Sequence, residues 1–288
     1  MIAAACPHTA IWRIVMGIVT VTVLAFLWIF GVIWLIGVLN GTSFLATMSG
    51  AMQPLAPRPG GAALYLFLIV GIGVGTLIAA AFWQKRRPGT LFGPAARTLR
   101  HFVISAGLSL TVMIILGALS LPFMERPELN MDVSTWLLWL PLGILVLAAQ
   151  TGSEELLFRG YLQSQLAARY AAPVVWLLIP SILFGAIHYQ PGMPIFLTLT
   201  IVIVATVFGI LAGDLTARTG SIGAAWGFHF ANTALVILLV ASEASITGLS
   251  LFKTSLGLDD LGTLSPLIAV EVLTLAAIWA LIRRVLAT

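Results

Sequence analysis

Polar and apolar positions along this chain do not alternate; they come in blocks. No Asp, Glu, Lys or Arg occurs from 14 to 57, 59 to 84, 133 to 153 or 170 to 213. Such blocks meet or exceed the ~20 apolar residues that a helix needs to cross a hydrocarbon core about 30 Å thick. Only helices and closed barrels satisfy their own backbone in lipid, and these Leu/Ile/Val/Ala runs lack the period-two alternation of barrel strands. The pattern predicts an all-α, polytopic membrane bundle of about eight helices, at 12–39, 62–84, 99–121, 134–168, 173–189, 194–213, 220–241 and 264–285. At ~1.5 Å per residue the fourth would be roughly 50 Å long, too long for one straight crossing. A break or bend is therefore expected at Gln150-Thr151-Gly152-Ser153.

Composition removes the soluble alternative. Of 288 residues 60% are hydrophobic and 8% charged, against about a quarter charged in a soluble domain. The single cysteine, Cys6, excludes an intramolecular disulfide and a cysteine-based metal cage. The first apolar run is longer than a cleaved signal peptide and reads as a retained helix. The net charge of +4 says less than where the charges lie, and basic residues near helix ends give no reason to expect nucleic acid. Lys85, Arg86, Arg87, Arg97 and Arg100 cluster between the second and third helices, which the positive-inside rule makes cytoplasmic. Arg13, Arg169, Arg218, Arg283 and Arg284 then fall on the same side, Glu125, Glu128, Asp132, Asp259 and Asp260 on the other, and both termini are expected to be cytoplasmic.

Ionisable groups in a membrane are costly unless paired or wetted, so each is a functional candidate. Here they concentrate in one region: Glu154, Glu155, Arg159, His188 and His229. Glu155 and Arg159 are spaced i, i+4, so the guanidinium can neutralise that carboxylate. Glu154 points about 100° away around the helix; less compensated, it is the candidate general base. A turn near Ala171-Ala172-Pro173 would make the fourth and fifth segments an antiparallel hairpin, with Glu154 and His188 at equal depth and Phe184 on the histidine's face as a wall. His229, Asn232 and Thr233 share another helix face, where imidazole and amide can donate to a developing oxyanion.

These residues resemble a known family, the CAAX-protease and bacteriocin-processing family of intramembrane endopeptidases, which includes the prenyl-protein endoprotease. Glu154-Glu155-Leu156-Leu157-Phe158-Arg159 resembles its EExxxR motif, and Phe184-Gly185-Ala186-Ile187-His188 its FxxxH motif. His229-Phe230-Ala231-Asn232 is similar to HxxxN, except that asparagine stands at the third place after the histidine and Thr233 at the fourth. The resemblance divides the chain into N-terminal transmembrane helices at 1–130, a catalytic membrane core at 131–241, and a loop with a C-terminal helix at 242–288. It implies hydrolysis of membrane-associated, prenylated or otherwise anchored polypeptides, in the plasma (inner) membrane with the active site open to the cytoplasm. Glu154 would activate water with help from His188, His229 and Asn232 would stabilise the oxyanion, and Arg159 would hold Glu155.

A divalent metal such as zinc, held by Glu154, His188 and His229, is the alternative chemistry; the HExxH spacing that would make zinc a strong reading is missing. Two further functional readings stand beside the peptidase: a non-catalytic scaffold or bacteriocin-immunity-type protein, and, with no inverted repeat to favour it, a transporter.

Overall fold

The computed structural model describes residues 1–51, 58–123, 126–242, 245–254 and 261–286; Glu125, Asp259 and Asp260 lie outside the described residues. Each of the eight expected apolar segments is helical. In chain order the helices are α1 (Ile2–Ala5), α2 (Ile11–Asn40), α3 (Phe44–Ala51), α4 (Pro59–Trp83), α5 (Ala95–Ser120), α6 (Val133–Glu155), α7 (Ser164–Arg169), α8 (Ile179–Ala186), α9 (Ile195–Thr219), α10 (Gly223–Ala234) and α11 (Leu261–Leu286). Among the described residues, five continuous helical stretches are long and apolar enough to cross a membrane, and Val174–Ala186 and Gly223–Leu239 are shorter apolar ones. The molecule is an all-α membrane bundle.

The expected break at Gln150–Ser153 is not there. Helix α6 runs unbroken to Glu155, and the irregularity follows as a π-helical stretch, Leu156–Gln163, leading into α7. The small polar residues do not open the helix because their hydroxyls are satisfied inside it: Thr151 donates to the Leu147 carbonyl and Ser153 to that of Ala149. Their small size serves packing instead. A Cβ on Gly152 would lie 2.9 Å from the Trp226 ring, and Ser153 fills the notch at Gly73. Gly71 and Gly75 meet Trp28 and Val21 of α2, so the glycine run of α4 is a close-packing surface, as expected.

Helix α6 and its π continuation occupy the centre. Helix α4 packs on α6, α10 on α5, α6 and α9, and α8 on α9 and the π stretch, while α2 covers α4. At one end, two-residue β1 (Glu128–Leu129), β2 (Val240–Ser242) and β3 (Phe252–Thr254) form a small sheet in the order β1-β3-β2, antiparallel then parallel. At the opposite end the basic residues gather. Arg13 donates to the Trp83 carbonyl, Arg86 to Ser164, Arg169 to the Thr9 carbonyl and Arg97 to that of Thr219, tying together segments far apart in sequence.

Candidate functional site

Four of the polar residues singled out from the sequence, Glu154, Glu155, Arg159 and His229, converge where α6 passes into its π stretch, facing α8, α9 and α10. Glu154 is 6% exposed, Glu155 0%, Arg159 2% and His229 7%, so this is a buried ionic cluster. Its hub is Glu155. One carboxylate oxygen, Oε1, accepts from the Arg159 guanidinium at 2.8 Å and from His229 Nδ1 at 2.8 Å. The i, i+4 pair expected from spacing is thus formed, and α10 adds a second donor. Arg159 also donates to the Gly209 carbonyl at 3.3 Å and lies over the Phe184 ring, 4.6 Å from its centroid. One turn on, Gln163 donates to the carbonyl of Gly213, so two long polar side chains anchor the π stretch to two glycines of α9.

Glu154 is held differently. Its Oε1 accepts from Gln150 Nε2 at 2.7 Å, while Oε2 is buried, makes no hydrogen bond to the protein and stands 3.8 Å from His229 Nε2. Because Nδ1 of His229 faces a carboxylate acceptor, the proton of the neutral ring belongs there. Nε2 then carries a lone pair that faces Glu154 Oε2 across a gap too wide for a direct hydrogen bond. Gln150 was read from the sequence only as a possible hinge. Its place four residues before Glu154 on an apolar helix was the signal that it could reach the carboxylate.

His188 sits in the turn after α8, half-buried, and its Nδ1 donates to the Phe184 carbonyl at 2.7 Å. A carbonyl only accepts, so in the neutral ring Nε2 is the free basic atom. Both histidine rings pack on Phe184, with its centroid 4.7 Å from His188 and 5.7 Å from His229. The wall expected from FxxxH is therefore also the surface both imidazoles pack on, with Phe208 5.1 Å from His229.

In the third motif Thr233 donates its only hydroxyl proton to the His229 carbonyl, 3.0 Å away, and is spent on its own helix. Asn232 is half-buried, and among the described residues its amide makes no hydrogen bond. His229, read from the sequence as an oxyanion donor with Asn232, bonds through Nδ1 to Glu155 and turns Nε2 toward Glu154. Among the described residues, no three His, Cys, Asp or Glu side chains stand together in an arrangement that could hold a metal ion, and Glu154, His188 and His229 are no exception.

Comparison with known proteins covers this same region. An uncharacterised protein of Bacillus subtilis, YyaK, is 28% identical over 192 residues, 64% of this chain and 62% of the relative, so the match spans less than two thirds of that protein. No solved structure matches. Residues 134–235, which hold α6, its π continuation and α7 to α10 with all three motifs, match the family described as type II CAAX prenyl endopeptidase Rce1-like, and over this segment the resemblance read from the motifs is borne out.

Proposed function

We propose that the protein is an intramembrane endopeptidase that hydrolyses peptide bonds of membrane-associated, prenylated polypeptides with Glu154 as general base. The observation that carries this reading is the contrast between two adjacent buried carboxylates, each with one oxygen that accepts no hydrogen bond: Glu155 is ion-paired with Arg159 and hydrogen-bonded to His229, whereas Glu154 has only the neutral Gln150 amide as donor and turns its other oxygen toward His229 Nε2. The Arg159 guanidinium holds Glu155 as an ion pair, and Glu154 has no such partner.

In this reading water adds to the scissile carbonyl carbon as its proton passes to Glu154 Oε2. His188, with Nε2 free, assists by accepting a hydrogen bond from the same water. The carbonyl oxygen becomes an oxyanion and takes hydrogen bonds from the Asn232 amide, Thr233 being committed to its own helix. The C–N bond then breaks as the proton held by Glu154 moves to the leaving amine. No step is routed through a metal, because among the described residues the side chains do not form a metal-holding set.

The test uses the purified full-length protein in liposomes with a fluorogenic peptide, farnesylated or not, near a free C-terminal carboxylate. Wild type is expected to cleave the farnesylated peptide. Glu154→Gln keeps the Gln150 contact, and a general base is worth roughly 10²- to 10⁴-fold, so kcat should fall by that factor at unchanged melting temperature. Wild-type turnover by Glu154→Gln would remove the carboxylate from the chemistry; a folded wild type that cleaves neither peptide would leave only a scaffold.

A further inference from the structure

Away from the buried cluster, the ends of α5, α9 and α11 enclose a cleft of about 480 Å³ lined by Arg97, Arg100, His101, Arg218, Thr219 and Leu286. Its size falls within the roughly 300–1,000 Å³ of small-molecule sites. Its walls are fixed by backbone contacts: the Ile222 amide donates to the Phe92 carbonyl, and Gly93, at φ 90°, lies so close that a Cβ there would meet the Gly220 carbonyl oxygen at 2.7 Å.

Among the described residues, the charge in this cleft is only partly balanced. Arg218 is paired with Asp214 at 2.9 Å, and the same carboxylate faces Arg283 at 3.7 Å and accepts from Trp279. Arg97 and Arg100, three residues apart on one face of α5, have no carboxylate partner among the described residues; Arg97 donates only to the Thr219 carbonyl. Two guanidinium groups at this spacing repel each other, and both stand in the first two turns of α5, where the helix dipole is also positive and no acidic residue offsets it. His101 lies one residue on, its ring 3.4 Å from the Ser221 hydroxyl. An oxyanion bearing two charge-accepting oxygens would relieve each of these costs at once.

We propose that this cleft binds the phosphate of an anionic phospholipid, gripped between Arg97 and Arg100 with Thr219 and His101 at its rim. The cleft opens where three apolar helices end, so a lipid seated there keeps its acyl chains along the exposed apolar face of α5, which includes Leu99 and Val103. Guanidinium forks suit phosphate oxygens in a way that a single ammonium does not. The proposal is independent of the peptidase reading, since none of these residues touches the buried carboxylates.

The experiment is native mass spectrometry of the full-length protein released from mixed phosphatidylglycerol and phosphatidylcholine nanodiscs, with inorganic phosphate as a separate probe in detergent. Wild type is expected to retain one phosphatidylglycerol in preference to phosphatidylcholine. Arg97→Gln with Arg100→Gln should weaken retention about 25-fold, at about fivefold per surface arginine. Lys85→Gln with Arg87→Gln, an exposed pair at the same end of the molecule but outside the cleft, should leave it unchanged. Equal retention of the two lipids by wild type, or equal loss in both double variants, overturns the proposal. Inorganic phosphate that stabilises the protein without lipid retention would assign the cleft to a soluble phosphate and overturn the lipid assignment.

Discussion

At the scale of single residues, Glu154 and Glu155 differ in what surrounds them. Glu155 accepts from Arg159 and His229, while Glu154 accepts only from the Gln150 amide; each keeps one buried oxygen without a hydrogen bond, and that of Glu154 stands 3.8 Å from His229 Nε2. In the proposed reaction Gln150 is then the residue that aims the general base without touching substrate. Replacing it with leucine removes a hydrogen bond to a charged group, worth about 1.5–3 kcal/mol. It also removes the buried amide oxygen of Gln150, which has no partner of its own. Gln150→Leu should therefore lower kcat about tenfold to a hundredfold while leaving KM and melting temperature nearly unchanged, as read by steady-state cleavage and thermal denaturation; an unaltered kcat would detach Gln150 from the reaction. Residue spacing alone pointed to the Glu155–Arg159 pair and to Glu154 as the freer carboxylate. By the same arithmetic Gln150 is within reach of Glu154, but the length of the apolar segment points instead to a bend at Gln150–Ser153. The His229–Glu155 bond joins residues 74 apart and has no trace in local spacing.

At the scale of elements, the apolar blocks located the helices because burial in lipid leaves the backbone little other choice. What they could not locate was the π geometry at Leu156–Gln163, Val174–Leu178 and Leu235–Leu239, or the sheet of two- and three-residue strands. A π turn is favoured by where its side chains must reach, here Arg159 and Gln163 toward the α9 carbonyls, and that depends on a neighbouring helix. Close packing places α10 in the same way. Gly223 and Gly227, one turn apart, lie against the backbone of α5; a Cβ on Gly227 would stand 2.9 Å from the Ala106 nitrogen and 3.0 Å from the Phe102 carbonyl carbon. Neither is a side chain that could swing away. Gly227→Ala should cost about 1–3 kcal/mol by overpacking, and should lower cleavage as well, because α10 carries His229 two residues on. Gly107→Ala on α5 meets nothing within 4 Å and should be neutral or up to ~1 kcal/mol stabilising. Matched denaturation and activity measurements separate the two; equal behaviour would mean that α10 is not seated by contact with α5.

At the scale of the whole molecule, two opposite ends are distinguished by charge. Arg13, Arg86, Arg97, Arg100, Arg169 and Arg218 are linked by hydrogen bonds or a shared cleft at one end; Glu128 of β1 and its neighbour Lys253 mark the sheet at the other. Long arginine and lysine side chains resist translocation, so the arginine-rich end should face the cytoplasm. The chain carries its own probe of this, since Cys6 is its single cysteine and is exposed beside the basic end. In intact cells an impermeant maleimide should leave Cys6 unlabelled until the membrane is permeabilised. In a Cys6→Ala background, Leu129→Cys, on the exposed β1 strand, should label without permeabilisation. The reverse pattern would invert the molecule and put the arginine cleft on the outer leaflet. It would not disturb the buried Glu154–His229 pair, whose geometry is set by helix contacts and not by which way the bundle was inserted.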